Sequence, residues 1–264
     1  MKKKLLCGVA VVLVLVGLSL LIIPNVSNQI NKEHVHSIIE EFKGIVQQNN
    51  QPDVSSDTDT NKSVSPSEES PEHRDAESSG QGQKEHMFYQ IDSDRLYLDS
   101  TAYNERLKTE QFNLLINESS YQQPSLNLQD YGMPNNVYGY ISSSAIDLEL
   151  PIYLGATTEN MAYGAAHLTY TSLPIGGEST NCVLAAHTGY IGRIFFDYIS
   201  TLQYGDKVQI TNLWNTLTYQ VIEKRIRKSY ESSDCYITDG KDLLTLITCA
   251  HGGTERWYVI CERA

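Results

Sequence analysis

Seven short runs rich in β-branched and aromatic residues fill the second half of the chain, and they constrain the fold more than any other feature. Residues 207–226 alternate across a short Asn-Leu-Trp-Asn connection, which predicts a hairpin. Short, regularly spaced strands with few helices predict a mainly β domain, either a barrel or a sandwich. The runs are VYGYI (137–141), 146–153, NCVLAAH (181–187), DKVQIT (206–211), LTYQVIEKRI (217–226), LLTLITC (243–249) and RWYVICER (256–263).

The N-terminus carries nineteen residues without a charge, at positions 5–23. A helix of this length spans about 28 Å, close to the hydrocarbon thickness of a bilayer. Three lysines at positions 2–4 precede it, and the positive-inside rule keeps that end cytoplasmic. A cleaved signal peptide is the alternative, but its apolar region is usually shorter and ends at a small-residue cleavage site, whereas this one ends at Pro24. We therefore expect residues 1–24 to form an uncleaved membrane anchor, with the remainder extracellular.

Residues 25–136 connect the anchor to the strands and change in composition along their length. A juxtamembrane segment begins at residue 25 and carries a helical stripe. Residues 47–86 have almost no apolar side chains, so we expect this linker to be disordered and to act as a flexible tether. Residues 87–136 predict one or two amphipathic helices and a lid, and 137–264 form the β domain. The stripe consists of Val35, Ile38, Ile39, Phe42 and Ile45.

Charge and cysteine content argue against several classes of protein. The net charge of −12 disfavours nucleic acid as a partner. The five cysteines are too few and too scattered for a disulfide scaffold, although up to two bridges are possible among Cys182, Cys235, Cys249 and Cys261. No CxxC pair occurs, and the spacing of Cys249 and His251 matches no familiar zinc site. We expect neither a metal nor a cofactor.

Three residues at the ends of strand-forming runs could carry chemistry together. Cys249 precedes a His-Gly-Gly turn, and Arg256 begins the next run. A thiolate is a nucleophile that nearby cations favour, and a guanidinium across a hairpin can reach an oxygen bound beside the sulfur. His187 ends another apolar run and could act as a base, with His251 as an alternative or as a turn residue. Each of these residues could equally be structural, the cysteine in a core and the histidines on the surface.

The motifs TLITC (245–249) and AAHTG (185–189), with the downstream arginine, resemble the sortase family of cysteine transpeptidases. YGYISSSAIDLELPIYLGAT (138–157) and YGAAHLTYTSLPIGGEST (163–180) are similar to blocks of class C, pilus-building sortases, and the resemblance covers roughly residues 97–263. It implies a closed sortase-type β-barrel with short helices. It also implies that Cys249 is the nucleophile, His187 the acid/base, and Arg256 the group that steadies the substrate and its oxyanion.

The resemblance also implies substrates and partners. These are exported proteins with a Leu-Pro-x-Thr-Gly-type sorting signal, and an amine acceptor from a pilin or from peptidoglycan. Class C members often carry an Asp-Pro-aromatic lid; here Asp130 and Tyr131 lack the proline, so they form an altered plug or leave the groove open. The interval from Cys249 to Arg256 looks shorter than is usual in class C. A non-enzymatic surface or pilus protein and a hydrolytic thiol peptidase are the alternatives.

Overall fold

The computed structural model describes residues 2–50, 89–111, 120–190 and 193–264, and before Asn25 it describes mostly the backbone alone. Within these ranges the helices are α1 (Lys2–Asn49), α2 (Ser93–Glu110) and α3 (Thr158–Met161). The strands are β1 (Val137–Ser143), β2 (Leu148–Leu154), β3 (Ala165–His167), β4 (Thr180–Ala185), β5 (Lys207–Thr211), β6 (Thr216–Lys228), β7 (Asp242–Ala250) and β8 (Glu255–Arg263). Short 3-10 turns lie at Ser120–Gln122, Leu128–Tyr131, Ser144–Ile146, Ile199–Thr201, Ser233–Cys235 and His251–Gly253.

The strands close into a barrel in the order β1-β2-β3-β4-β7-β8-β6-β5, because β5 pairs with β1. The pairs β2–β3 and β4–β7 are parallel, and the others are antiparallel. The prediction of a mainly β domain is confirmed, and the structure resolves the choice between barrel and sandwich in favour of a closed barrel. The predicted hairpin is also confirmed, since β5 and β6 flank the Asn-Leu-Trp-Asn connection. The three-residue strand β3 has no counterpart among the predicted runs.

The barrel interior is filled by alternate residues of its strands. Leu184 of β4, Leu246 of β7 and Val259 of β8 belong to one buried cluster, together with Ile141 of β1 and Ile210 of β5. Because successive side chains of a strand point to opposite faces, the intervening residues of β4, β7 and β8 face outward. This alternation decides which side chains can meet on the outer surface.

The C-terminal half of α1 packs against the barrel and the other helices. Val35 and Ile39 join the barrel cluster, while Phe42 and Ile45 join a second cluster that contains residues of α2 and of the 3-10 turn Leu128–Tyr131. The predicted stripe is therefore confirmed as the buried face of a helix. The 18-residue α2 lies in the region where one or two amphipathic helices were predicted.

The two ends of the predicted linker meet. The Gln48 side chain donates a hydrogen bond to the carbonyl of Tyr89 at 2.8 Å, and the Tyr89 amide donates to Gln48 at 3.4 Å. The tether interpretation is therefore wrong, because α1 itself rests on the barrel and residues 51–88 connect two segments that already touch. The predicted disorder of the linker concerns residues that lie almost entirely outside the described ranges.

The predicted membrane anchor falls where the side chains are mostly not described. Throughout the described part of the chain, no helix is long and apolar enough to cross a bilayer. Most side chains of residues 5–23 lie outside the described set, so the anchor stays a prediction.

No bridge joins the cysteines that the structure describes, which are Cys182, Cys235, Cys249 and Cys261. Cys182 and Cys261 face the barrel interior in the same row, but Leu244 separates them, since it pairs with both. Two strand spacings amount to about 10 Å between Cα atoms, well beyond the limit of about 7 Å for a disulfide.

Candidate active site

Cys249 and Arg256 face each other across the β7–β8 hairpin. They are direct register partners in this antiparallel pair, so their Cβ atoms lie about 5 Å apart on the same face of the sheet. Both side chains are half-buried. The spacing of the two residues is therefore a product of the four-residue connection between the strands.

The turn of this hairpin needs left-handed backbone. His251, Gly252 and Gly253 have φ of +46°, +68° and +90°. This is the region where glycine is accommodated without strain, so the double glycine makes the tight connection possible. The guanidinium of Arg256 donates hydrogen bonds to the carbonyls of Gly253 at 2.7 Å and Glu255 at 2.9 Å, which ties Arg256 to the turn.

Parallel pairing of β4 with β7 carries the chain to His187 at the Cys249 end of β7. Ala185 pairs with Ile247, and the ladder continues beyond the last residue of β4. The Ala186 amide donates to the Ile247 carbonyl at 3.2 Å, and the Thr248 hydroxyl donates to the Ala186 carbonyl at 2.8 Å. His187 follows directly, and its carbonyl accepts from the Phe196 amide at 2.9 Å, so the chain leaves the ladder at the end of β7 that carries Cys249.

The predicted site residues lie next to a small hydrophobic cluster on the outer face of the barrel. That cluster contains Val183 of β4, Ile247 of β7 and Tyr258 of β8, all on the face opposite to the barrel interior. Cys249 lies two residues beyond Ile247, and Arg256 lies two residues before its register partner Tyr258. The strand alternation therefore places Cys249 and Arg256 at one end of this outer face, and His187 follows β4 at the same end; the catalytic roles of the three residues stay a prediction.

Aromatic rings surround the imidazole of His187. The ring stacks on Tyr190 with centroids 5.3 Å apart and an interplanar angle of 26°, and it lies 6.3 Å from the ring of Phe195. Partial burial lowers the pKa of His187 below its usual range, which favours the neutral imidazole near neutral pH. The Asp197 carboxylate accepts from the amides of Gly189 and Phe195, at 2.7 and 2.8 Å, and so shapes this loop.

Among the described cysteines, Cys249 alone is not buried. Burial raises the pKa of Cys235 and of Cys261 to about 12, and it raises the pKa of Cys182 as well. These three thiols are therefore protonated and shielded. A reagent or substrate that reaches the outer face meets the sulfur of Cys249.

The connection between β6 and β7 packs against the outer face of the barrel that carries Cys249. The side chain of Asp234 is only 5% exposed and forms ion pairs with Arg225 and Arg227, the latter at 2.9 Å. The next residue, Cys235, packs against Ile247 and Tyr258 in the outward-facing cluster. Neither the arginine pair nor Asp234 was predicted, because nothing in their spacing indicates that the two segments meet.

His251 lies in the turn between β7 and β8 and not on the outer face with Cys249. Its side chain is exposed and is hydrogen-bonded to Glu255, which in turn pairs with Lys228 at 2.6 Å. His251 was the alternative candidate for the base. Its place in the turn agrees with the interpretation of it as a turn residue.

Of the predicted lid residues, Tyr131 lies in the second cluster with the helices, and Asp130 is exposed beside it. Tyr131 is buried there, and its hydroxyl donates to the Asp99 carboxylate at 2.8 Å. Asp130 accepts a hydrogen bond from Asn127 at 2.9 Å. These contacts do not involve the Cys249 end of β7, so the lid role stays a prediction.

No group of three or more histidine, cysteine or acidic side chains is arranged to hold a metal ion within the described ranges. The outer face instead combines a thiol, an imidazole and a guanidinium. This set of groups is suited to nucleophilic attack on a carbonyl, with a cation near the developing oxyanion and a proton donor for the leaving group.

Comparison with known proteins identifies the family. A model of the sortase domain matches residues 141–264. The crystal structure of sortase C-1 from Streptococcus pneumoniae superposes with a TM-score of 0.59 and 30% identity, over 66% of this chain and 90% of that one. The chain belongs to the sortase family. Its described barrel is thus the sortase barrel, and the class C resemblance of the sequence blocks agrees with this neighbour.

Two further relatives extend the comparison of this sortase. Clostridium perfringens sortase C, solved with a C-terminal cell wall sorting motif, has a TM-score of 0.53 and 34% identity, over 65% of this chain and 88% of that chain. Sortase A of Bacillus anthracis is 32% identical over 115 residues. That match covers 43% of this sortase and 52% of the Bacillus protein, so the chain spans about half the length of this relative.

Proposed function

We propose that this sortase is a membrane-anchored cysteine transpeptidase acting on exported proteins that carry a Leu-Pro-x-Thr-Gly-type sorting signal. The observation that supports the proposal is the pairing of Cys249 with Arg256 on the outer face, with His187 following β4 near the same end of β7 and Cys249 the one described thiol that is not buried. The sorting motif solved with the Clostridium perfringens relative supports the substrate class.

The first half of the reaction forms a thioester. Neutral His187 takes the proton of the Cys249 thiol, the resulting thiolate attacks the carbonyl carbon of the threonine, and the Arg256 guanidinium stabilises the oxyanion that develops. The bond between threonine and glycine breaks, and protonated His187 gives its proton to the departing glycine amine. The N-terminal part of the substrate is then joined to the Cys249 sulfur.

The second half transfers this acyl group to an amine. The amine attacks the thioester carbonyl, a new amide bond forms, and the carbon–sulfur bond breaks to release Cys249. His187, neutral after the first step, takes the proton from the attacking amine. The amine comes from a pilin lysine or a peptidoglycan peptide. The class C likeness and the Streptococcus pneumoniae sortase C-1 neighbour favour the pilin.

The proposal includes the location of the protein in the cell. Residues 5–23 anchor the chain in the cell membrane, with the lysines at positions 2–4 inside and the barrel outside. Substrate and acceptor are both surface components, so this orientation places the thiol in the compartment where they occur.

The decisive experiment incubates the full chain in detergent with a sorting-signal peptide, with and without a primary amine, and follows products by mass spectrometry. We expect a thioacyl adduct on Cys249 and an amide product that grows with amine concentration. Cys249→Ala abolishes both, and Arg256→Gln lowers the rate by about 100- to 1,000-fold, as loss of one oxyanion donor does elsewhere.

Paired variants serve as controls for the roles of the histidines and cysteines. His187→Ala removes transfer, whereas His251→Ala, in the turn, retains most of it. Cys235→Ala still forms the adduct. Cleavage that ignores the amine identifies a hydrolytic peptidase instead, and no product with any peptide supports a non-enzymatic surface protein.

A further inference from the structure

The imidazole of His187 is positioned by rings. Within the described ranges, its two ring nitrogens have no hydrogen-bond partner, although its backbone carbonyl accepts from the Phe196 amide at 2.9 Å. In many enzymes a third group hydrogen-bonds to the catalytic histidine and sets its orientation. Here the contacts that restrict the ring are the stack on Tyr190 and the tilted contact with Phe195.

Tyr190 and Phe195 contact the His187 imidazole and also contact each other. Their own rings meet edge to face at 6.3 Å and 72°. Phe195 is 2% exposed and is part of the barrel cluster, so it is fixed by packing. Tyr190 is 47% exposed and needs another contact to stay in place.

Arg193 provides that contact. Its guanidinium carbon lies 5.9 Å from the centroid of Tyr190 and 5.2 Å from that of Tyr163, and it donates a hydrogen bond to the Ala162 carbonyl. A guanidinium between two aromatic faces is held by cation–π attraction on both sides. Tyr163 in turn meets the ring of His34 on α1 at 6.1 Å, which links the arrangement to the packed helix.

We propose that Tyr190 is a positioning residue for His187, and that Arg193 holds Tyr190 in its stacked place. The inference rests on the proposed function, in which His187 protonates the leaving amine. Stacking restricts rotation of the imidazole plane while leaving both nitrogens accessible to the substrate. The aromatic face of Tyr190 restricts the imidazole and its hydroxyl does not take part, so a phenylalanine at this position should work as well.

The charged and titratable groups on the elements around the ring are few. Asp197 and Arg193 lie in the same loop, Tyr163 follows α3, and Cys249 and Arg256 come from β7 and β8. The carboxylate of Asp197 is engaged by two backbone amides. Removal of the Tyr190 ring therefore changes mainly the solvent exposure of the imidazole.

The test uses the full chain with Tyr190→Ala, Tyr190→Phe and, as a matched control, Tyr204→Ala, which removes a ring that is 67% exposed. Proton NMR follows the His187 imidazole, assigned with His187→Gln, and kinetics with a sorting-signal peptide give kcat and KM. We expect Tyr190→Ala to lower kcat by about 10- to 100-fold with KM within about twofold, since small misplacements of catalytic groups have effects of this size. The His187 pKa rises toward its usual value in the same variant.

Tyr190→Phe and Tyr204→Ala should match the parent chain in both measurements, and Arg193→Gln should move both in the direction of Tyr190→Ala. Wild-type kcat and an unchanged His187 pKa in Tyr190→Ala would overturn the proposal. Equal losses in the Ala and Phe variants would also overturn it, because the hydroxyl would then be the active part. If the parent chain forms no thioacyl product, the proposed function fails, and the NMR titration still decides whether Tyr190 controls the His187 environment.

Discussion

At the scale of single residues, the guanidinium of Arg256 is left without a carboxylate partner among the described residues. Ion pairs in the described part of the chain join Glu255 to Lys228 and Asp234 to Arg227, but none of them includes Arg256. Arg256 is held by backbone carbonyls instead. A guanidinium without a carboxylate partner keeps its full attraction for an oxyanion or a thiolate, which is what the proposed chemistry requires.

His167 gives a prediction for the dependence of stability on pH. It is fully buried, with Nε2 3.0 Å from the Ser172 carbonyl, and burial lowers its pKa to about 4. Below about pH 6.5 the unfolded chain binds a proton that the folded chain refuses, so stability is lost as the pH falls from about 6.5 to 4. The loss attributable to His167 is about 3 kcal/mol, at about 1.4 kcal/mol per pKa unit.

Urea unfolding at several pH values measures this effect. His167→Gln removes the titrating group, so the difference in unfolding free energy between parent and variant should shrink as the pH falls from 7 to 4.5. Carboxylates titrate in both chains and cancel in that difference. Parallel curves for the two proteins would contradict the assignment of a neutral, buried His167.

At the level of elements, sequence reasoning succeeded where contacts are local. Cys249 and Arg256 meet through a four-residue turn, so their spacing and the double glycine were sufficient to predict that they flank a hairpin. His187 is different, because its position depends on the parallel pairing of Ala185 with Ile247, far along the chain. No periodicity encodes that pairing, and the place of His187 came from the family resemblance.

Helix α1 illustrates the same limit and supports a prediction. Its apolar stripe was visible in the sequence, but the surface that it covers was not. Phe42 is fully buried in the second cluster, so Phe42→Ala should lower the free energy of unfolding by about 3–5 kcal/mol. Ile30→Ala on the same helix, at a position 62% exposed, should change it by less than about 0.5 kcal/mol.

Denaturant unfolding of the two variants provides the comparison. A small effect of Phe42→Ala would mean that α1 does not pack on the barrel in solution. It would restore the interpretation in which residues 47–86 act as a spacer.

At the scale of the whole molecule, strand-forming runs and turns were enough to predict a β domain, but not its closure. Closure depends on β5 pairing with β1 and on the short strand β3, which links β2 to β4. A three-residue strand carries too little pattern to be recognised. The scarcity of apolar side chains in the linker likewise says nothing about where its two ends lie.

The meeting of Gln48 and Tyr89 leads to a prediction about that linker. Replacement of residues 51–88 by eight glycine and serine residues should raise the free energy of unfolding by about 1 kcal/mol, because a shorter loop costs less entropy to close. Turnover of the sorting-signal peptide should not change. A chain with residues 51–88 shuffled at constant composition is the control and should match the parent, whereas a marked loss of stability on shortening would show that the segment makes contacts of its own.

The continuity of α1 from Lys2 to Asn49 has a mechanical consequence. With residues 5–23 as the proposed span, Val35 lies only twelve positions beyond the end of that span, and it is the first of the described side chains to be buried against the barrel. At about 1.5 Å per residue this is a rise of about 18 Å. If residues 5–23 span the bilayer as proposed, the continuous helix fixes the distance and orientation of the Cys249 thiol relative to the lipid, and a substrate reaches the thiol only if its signal extends to that height.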